Sequence, residues 1–211
     1  MLRQILLLFI APYLCSGKIA VIEDAIFKEV LTGYNKMAYP GTSDNLIVII
    51  YHGLSLIKFD EGYGDRHVIH VWEYMSWNDP RLIWNGEPRS IRLPLSEIWT
   101  PDIVFISGSS KRTFEPKAVI SRDGNVTVTS MTELRSNTPC IGAYINECSF
   151  RFKSWTYDVY ALDIHVAPSG FDLSMFVYRF LKTDSFRNVS HFACCPEPFV
   201  DITYNLYLKW D

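Results

Sequence analysis

The sequence predicts an all-β protein: an immunoglobulin-like antiparallel β-sandwich of about ten strands, preceded by one N-terminal α-helix. One segment near the start has helical periodicity, and beyond Asn45 short apolar or alternating runs are separated by Gly, Pro, Asn and Asp. A chain of 211 residues is long enough for one domain with a proper core. The net charge of −3 leaves no basic face for nucleic acid.

The first residues are typical of a secretory signal peptide. A basic start precedes the apolar run Ile5–Ala11, and small residues follow near Gly17. The run is too short to span a bilayer and is followed by Pro12. We therefore expect residues 1–17 to be removed and residues 18–211 to form a secreted, extracellular domain. No later segment approaches transmembrane length.

The mature chain then has an even number of cysteines, because Cys15 is one of the five and lies in the leader. An even number in an oxidising compartment indicates disulfides, and four cysteines allow three pairings. The simplest in sequence joins Cys140 to Cys148 and Cys194 to its neighbour Cys195. Neighbouring Cα atoms lie only ~3.8 Å apart, so a bond there closes a small strained ring and shapes a loop tip. The alternative is that each of the two neighbours bonds elsewhere.

The predicted helix opens the mature chain. Ile19, Ile22, Ile26 and Val30 recur at helical spacing, and Gly33 follows as a stop signal. The spacing predicts one amphipathic helix.

Two segments carry the clearest strand signals. Asp123-Gly124 separates two apolar runs and predicts a hairpin turn. In the last predicted strand the residues expected in the core alternate with polar residues; they are Val200, Ile202, Tyr204, Leu206, Leu208 and Trp210.

The same alternation places aromatic side chains on polar faces. Phe199 is in phase with Asp201 and Thr203, outside the core. Between Cys148 and Trp155, Phe150 and Phe152 point one way, and Arg151, Lys153 and Trp155 point the other. A single exposed aromatic is ordinary, but two of them, one beside the paired cysteines, favour a binding surface.

Four segments carry motifs that occur together, in this order, in one family. They are the tryptophan-rich Val71–Asn85, the Trp-x-Pro-Asp stretch Ile98–Ile103, the segment Cys148–Asp158 and the tip Cys194–Pro198. They resemble the extracellular ligand-binding domain of the Cys-loop (pentameric, nicotinic-type) ligand-gated ion channels. The resemblance covers nearly the whole mature chain and favours the disulfides Cys140-Cys148 and Cys194-Cys195.

Within this family the chain is similar to the acetylcholine-binding proteins, which are soluble secreted homopentamers of the receptor domain. It ends at Lys209–Asp211, where receptors would enter their first membrane helix. The loop Ile141–Glu147 is shorter than its receptor counterpart and lacks the aromatic-proline core that meets the membrane domain. The alternatives are the extracellular domain of a full channel subunit, and a pentameric scaffold that has lost its ligand.

The resemblance implies an aromatic box between subunits that holds a small cationic or amphiphilic ligand through π-faces. The principal set is Ile106, Trp155, Phe192, Cys194, Cys195 and Phe199, and the complementary set is Trp72, Val119, Thr127 and Thr129. Trp77 and Trp84 are assigned to the core.

Three positions of the principal set depart from the cholinergic pattern. Ile106, Phe192 and Phe199 stand where that pattern has tyrosines. A hydrogen bond lost from a site commonly costs ~0.5–1.5 kcal/mol, so we expect a more apolar pocket and weak binding of acetylcholine.

No catalytic or metal-binding pattern emerges from the sequence. It has no phosphate loop, nucleophile elbow or zinc spacing, and His67 and His70 would face opposite ways on a strand. We expect neither enzymatic activity nor a metal or cofactor. Asn125 and Asn188 begin glycosylation sequons, and both are expected near turns or loops. A sugar on Asn125 would crowd Thr127.

Overall fold

The structure is a computed structural model. It describes residues 21–42, 46–61, 67–142, 145–174, 180–193 and 195–209. The predicted signal peptide, Ile19, Cys194 and Trp210 lie outside the described residues.

One α-helix, one short 3-10 helix and eleven strands form the described fold. Helix α1 covers residues 21–31, and a short 3-10 helix covers Leu95–Glu97. The strands are β1 Val48–Glu61, β2 His67–Ile83, β3 Ser90–Pro94, β4 Ile103–Phe105, β5 Gly108–Arg112, β6 Lys117–Ser121, β7 Asp123–Ser136, β8 Ile145–Ser154, β9 Leu162–Asp172, β10 Phe180–Phe192 and β11 Cys195–Lys209. No helix among the described residues is long and apolar enough to cross a membrane.

Helix α1 contacts the sandwich through its second half. Ile26 and Val30 are buried, as their spacing predicts. Ile22 is 41% exposed, because it lies one turn before the residues that reach the core, so its predicted place on the apolar face is wrong. Gly33 follows the helix with φ of 75°, a left-handed conformation that ends helices readily.

The strands form two sheets. The seven-stranded sheet has the order β3-β6-β7-β2-β1-β9, with β5 also paired to β7, and the four-stranded sheet has the order β10-β11-β8-β4. Within the described residues, all neighbouring strands are antiparallel except β1 and β9, which run parallel. The chain visits the other sheet before it returns as β9, and such a long connection permits parallel pairing. The predicted sandwich is confirmed, with this one parallel pair added.

The core lies between the sheets and follows the two-residue period of the strands. Buried and partly exposed residues alternate along β2, and Trp77 and Trp84 are both buried as predicted. The apolar positions of β11 are buried from Val200 to Leu208. The predicted hairpin is confirmed, since Val119 pairs with Thr127 across the turn that contains Gly124.

A buried polar cluster joins the two sheets through the core. His52 Nδ1 lies 2.8 Å from the Tyr204 hydroxyl, which donates to the His52 carbonyl oxygen at 2.6 Å. His52 Nε2 lies 3.2 Å from a Glu73 carboxylate oxygen, and Thr132 donates to the other at 2.8 Å. Burial opposes ionisation of Glu73, yet His52 and Thr132 hold the pKa of its carboxyl below the usual range.

The outer strands of both sheets limit further pairing. In the four-stranded sheet, β4 has only three residues, and β10 carries the exposed ion pair Lys182–Asp184. In the seven-stranded sheet, β3 ends in Pro94 and β9 contains Pro168.

Replacing Tyr204 with phenylalanine should destabilise the fold. The substitution keeps the ring in the core but leaves His52 Nδ1 and its carbonyl without the hydroxyl. A buried polar group that loses its partner costs ~1–3 kcal/mol. Urea unfolding followed by tryptophan fluorescence measures the difference.

Tyr160→Phe is the matched control, because Tyr160 is 62% exposed. It should stay within about 0.5 kcal/mol of the wild type. Equal stabilities for the two variants would contradict a structural role for the Tyr204 hydroxyl.

Candidate functional site

The four-stranded sheet brings four members of the principal set together at one end. Ile106 follows β4, Trp155 follows β8, Phe192 ends β10 and Phe199 lies in β11. They line one shallow depression of about 310 Å³ on the outer face of the sheet. Residues far apart in sequence thus converge because their strands are neighbours.

This depression exposes much apolar surface. The exposed fraction is 67% for Trp155 and 47% for Phe192. The rings of Phe192 and Phe199 meet edge to face, with centroids 5.8 Å apart, an arrangement that aromatic pairs favour. Among the described residues of a single chain, no segment covers the depression.

Asp102 fixes the backbone that carries Trp155. Its carboxylate accepts hydrogen bonds from the Ser154 hydroxyl at 2.5 Å, the Thr156 backbone N–H at 2.7 Å and the Thr156 hydroxyl at 2.6 Å. The Trp155 N–H donates to the Asp102 carbonyl oxygen at 3.1 Å. The aspartate of the Trp-x-Pro-Asp stretch therefore positions the exposed indole.

Lys153 also lies in the depression, although the predicted site did not include it. Its ammonium nitrogen is 5.6 Å from the ring centroid of Phe192, 5.8 Å from that of Trp155 and 6.0 Å from that of Phe199. These distances fall within the range of cation–π contacts. The signal was present in the sequence, because the alternation that turns Trp155 outward turns Lys153 outward as well.

Arg151 and Asp201, which also line the depression, belong to a polar cluster. Arg151 Nη2 contacts Asp201 Oδ2 at 3.1 Å, and Asn188 Nδ2 donates to Asp201 Oδ1 at 3.1 Å. Asp201 and Thr203 lie outside the core as predicted, but both are buried, because the side chains of neighbouring strands cover them.

Asn188, the predicted glycosylation residue, lies within β10 and not in an exposed loop, so its predicted placement is wrong.

The complementary set occupies the outer face of the other sheet. Trp72 lies on β2 between the core residue Val71 and the buried Glu73, so its side chain points away from the core. Thr129 pairs with Tyr74, two residues along β2, and Thr127 pairs with Val119. All four residues are at least partly exposed.

The two predicted half-sites therefore face in opposite directions. The principal set is on the outer face of the four-stranded sheet, and the complementary set is on the outer face of the seven-stranded sheet, with the core between them. One chain cannot close a box from both sets. A box that uses both sets requires a second chain.

The sequon at Asn125 lies beside the complementary set. Asn125 is exposed, and its amide nitrogen donates to Asp123 at 2.7 Å. Two residues along β7, Thr127 is on the same strand face. A glycan on Asn125 would therefore crowd Thr127.

One of the two predicted disulfides lies within the described residues. The structure contains the disulfide between Cys140 and Cys148. Cys195 begins β11, but Cys194 lies outside the described residues, so the bond between these neighbours stays a prediction.

Comparison with known proteins places this geometry in a family. Residues 23–210 match the family described as "Neurotransmitter-gated ion-channel ligand binding domain". An acetylcholine-binding protein of Capitella teleta, solved in complex with lobeline, has the same fold: the TM-score is 0.78 at 24% identity, with coverage of 90% of this chain and 99% of that one.

The chain also resembles nicotinic receptor subunits. It is 27% identical to the human neuronal acetylcholine receptor subunit alpha-3 over 98% of this chain and 44% of that subunit. It is 30% identical to the chicken neuronal alpha-2 subunit over 89% of this chain and 39% of that subunit. The chain thus spans less than half the length of these receptor relatives. It belongs to the neurotransmitter-gated ion-channel ligand-binding domain family.

Substituting Asp102 with asparagine should loosen the segment that carries Trp155. Asparagine offers one acceptor oxygen where three donors converge, and its amide group would face some of them. We expect a loss of ~1–3 kcal/mol in stability and faster hydrogen exchange at residues 154–157. Urea unfolding and exchange mass spectrometry measure the two effects.

Glu115→Gln makes the same change of charge at an exposed side chain and should leave both quantities unchanged. Wild-type exchange rates at residues 154–157 in Asp102→Asn would contradict the positioning role.

Proposed function

We propose that this chain is a soluble, secreted relative of the nicotinic receptor extracellular domain that assembles as a homopentamer. It binds a small cationic or amphiphilic ligand between subunits and catalyses no reaction. The observation that carries this proposal is the placement of the principal and complementary sets, both partly exposed, on opposite outer faces of the sandwich. In a ring, the principal set of each subunit faces the complementary set of the next.

A head-to-tail ring explains why both half-sites are open. A heterologous interface joins different patches of identical chains and closes into a ring when the rotation permits. Trp155 and Phe192 would then be covered by the neighbouring subunit instead of remaining in water. Burial of this apolar surface also contributes to assembly.

The short loop between Cys140 and Cys148 favours a binding protein over a channel subunit. The disulfide encloses only residues 141–147, and this segment contains no proline. The aromatic-proline core through which related receptors meet their membrane domain has no counterpart here.

Acetylcholine should bind only weakly. Ile106, Phe192 and Phe199 provide no hydroxyl group to the pocket, and each missing hydrogen bond is worth ~0.5–1.5 kcal/mol. Isothermal titration calorimetry with acetylcholine should give a dissociation constant of micromolar size or weaker. Submicromolar binding that is abolished by Trp155→Ala would overturn this expectation.

Subunit mixing tests the two-sided site. When expressed separately, neither Trp72→Ala nor Trp155→Ala should bind ligand. Each substitution removes an aromatic side chain from one half of every interface. When the two variants are co-expressed and mix at random, about one quarter of the interfaces combine both intact halves. We expect that fraction of sites to reappear in fluorescence titrations with two amphiphiles of opposite charge, lobeline and 4-phenylbutyrate.

The matched control is co-expression of Trp155→Ala with Phe199→Ala. Both substitutions alter the principal set, so no interface in the mixture is intact and no sites of wild-type affinity should reappear. Light scattering on the wild type should report five chains per particle. A monomer, or saturable binding by monomeric protein, would overturn the shared site.

A further inference from the structure

A positively charged side chain of the same chain lies against the aromatic rings of the candidate site. The ammonium of Lys153 lies almost equally far from the rings of Trp155, Phe192 and Phe199, at 5.6 to 6.0 Å from their centroids. A ring presents its negative face to a cation. The position that a cationic ligand would take against these three rings is thus shared with a fixed positive charge.

This ammonium has no carboxylate partner among the described residues. Of the side chains that line the depression, Asp201 is the one carboxylate within the described part of the chain. Its oxygens are engaged by Arg151 at 3.1 Å and by Asn188 at 3.1 Å, and its side chain is only 5% exposed. The depression therefore carries one positive charge more than it neutralises.

The chemistry of Lys153 favours one kind of ligand. An ammonium carries three donors and no acceptor, and the Lys153 ammonium lies within 6.0 Å of three aromatic ring centroids. A carboxylate placed against it gains charge-assisted hydrogen bonds, whereas a quaternary ammonium is repelled. Ile106, which also lines the depression and is 37% exposed, offers apolar contact for the rest of the ligand.

We propose that Lys153 sets the ligand class of this site, which takes a small amphiphile with an anionic group for Lys153 and an apolar part for the three rings. This inference rests on the proposed function, because it assumes that the depression is the ligand site. It narrows that function from cationic or amphiphilic ligands to anionic amphiphiles.

Three probes with one phenylalkyl body separate charge from apolar contact. They are 4-phenylbutyrate, the neutral 4-phenylbutyramide and the cation 4-phenylbutyltrimethylammonium, each titrated into the assembled wild-type protein by calorimetry. The anion should bind more tightly than the amide by a factor of about ten or more. The cation should bind most weakly of the three.

Lys153→Gln removes the charge and keeps a polar side chain of similar reach. In this variant the anion should lose about tenfold in affinity and the cation should gain about tenfold, so that their order reverses. Lys182→Gln is the matched control, since Lys182 is paired with Asp184 on β10 and lies outside the depression. It should preserve the wild-type order, and the melting temperatures of both variants should agree.

The outcomes separate the two proposals. A wild-type protein that binds the cation more tightly than the anion, with both lost in Trp155→Ala, overturns the role of Lys153 and supports the aromatic site. An unchanged order in Lys153→Gln also overturns that role. If none of the three probes binds saturably to the wild type, both the site and the ligand class are wrong.

Discussion

The pairing of β8 with β11 is the constraint on which the core and the candidate site both depend. In this register Phe150 is opposite Tyr204 and Lys153 is opposite Asp201. Because side chains alternate between the faces of a strand, burying Phe150 and Phe152 against the other sheet turns Arg151 and Lys153 outward. A shift by one residue would place two charged side chains in the core and remove the site. The energy of core packing therefore maintains the geometry of the binding surface.

Polar groups beneath the surface complete that geometry. Asp102 accepts three hydrogen bonds from the end of β8 and the turn that follows it, and Asp201 is held by Arg151 and Asn188. A partly or fully buried carboxylate with its hydrogen-bond partners in place is costly to disturb, so these groups restrict the backbone on both sides of Lys153. The aromatic rings of the site are thus attached to well-fixed strands, although the outer faces of these rings are open to water.

The fold was largely predictable because its signals are local. The period of β11 and the turn at Gly124 are both present in the sequence, and both are found in the structure. The contacts between distant residues were not predictable: the burial of His52 against Tyr204, the parallel pairing of β1 with β9 and the cover over Asp201 depend on tertiary packing. Lys153 shows the same limit within the site. Its direction followed from the alternation, but its place among three rings required Phe192 and Phe199 from other strands.

The outer strands have a consequence for how copies of this chain can associate. Prolines in β3 and β9, the brevity of β4 and the charges on β10 all discourage the addition of another strand. Backbone hydrogen bonding therefore offers little attraction between molecules, and an open-ended, fibre-like extension of either sheet is disfavoured. Contact between copies is left to side chains on the broad faces, where shape and charge can select one partner orientation over another.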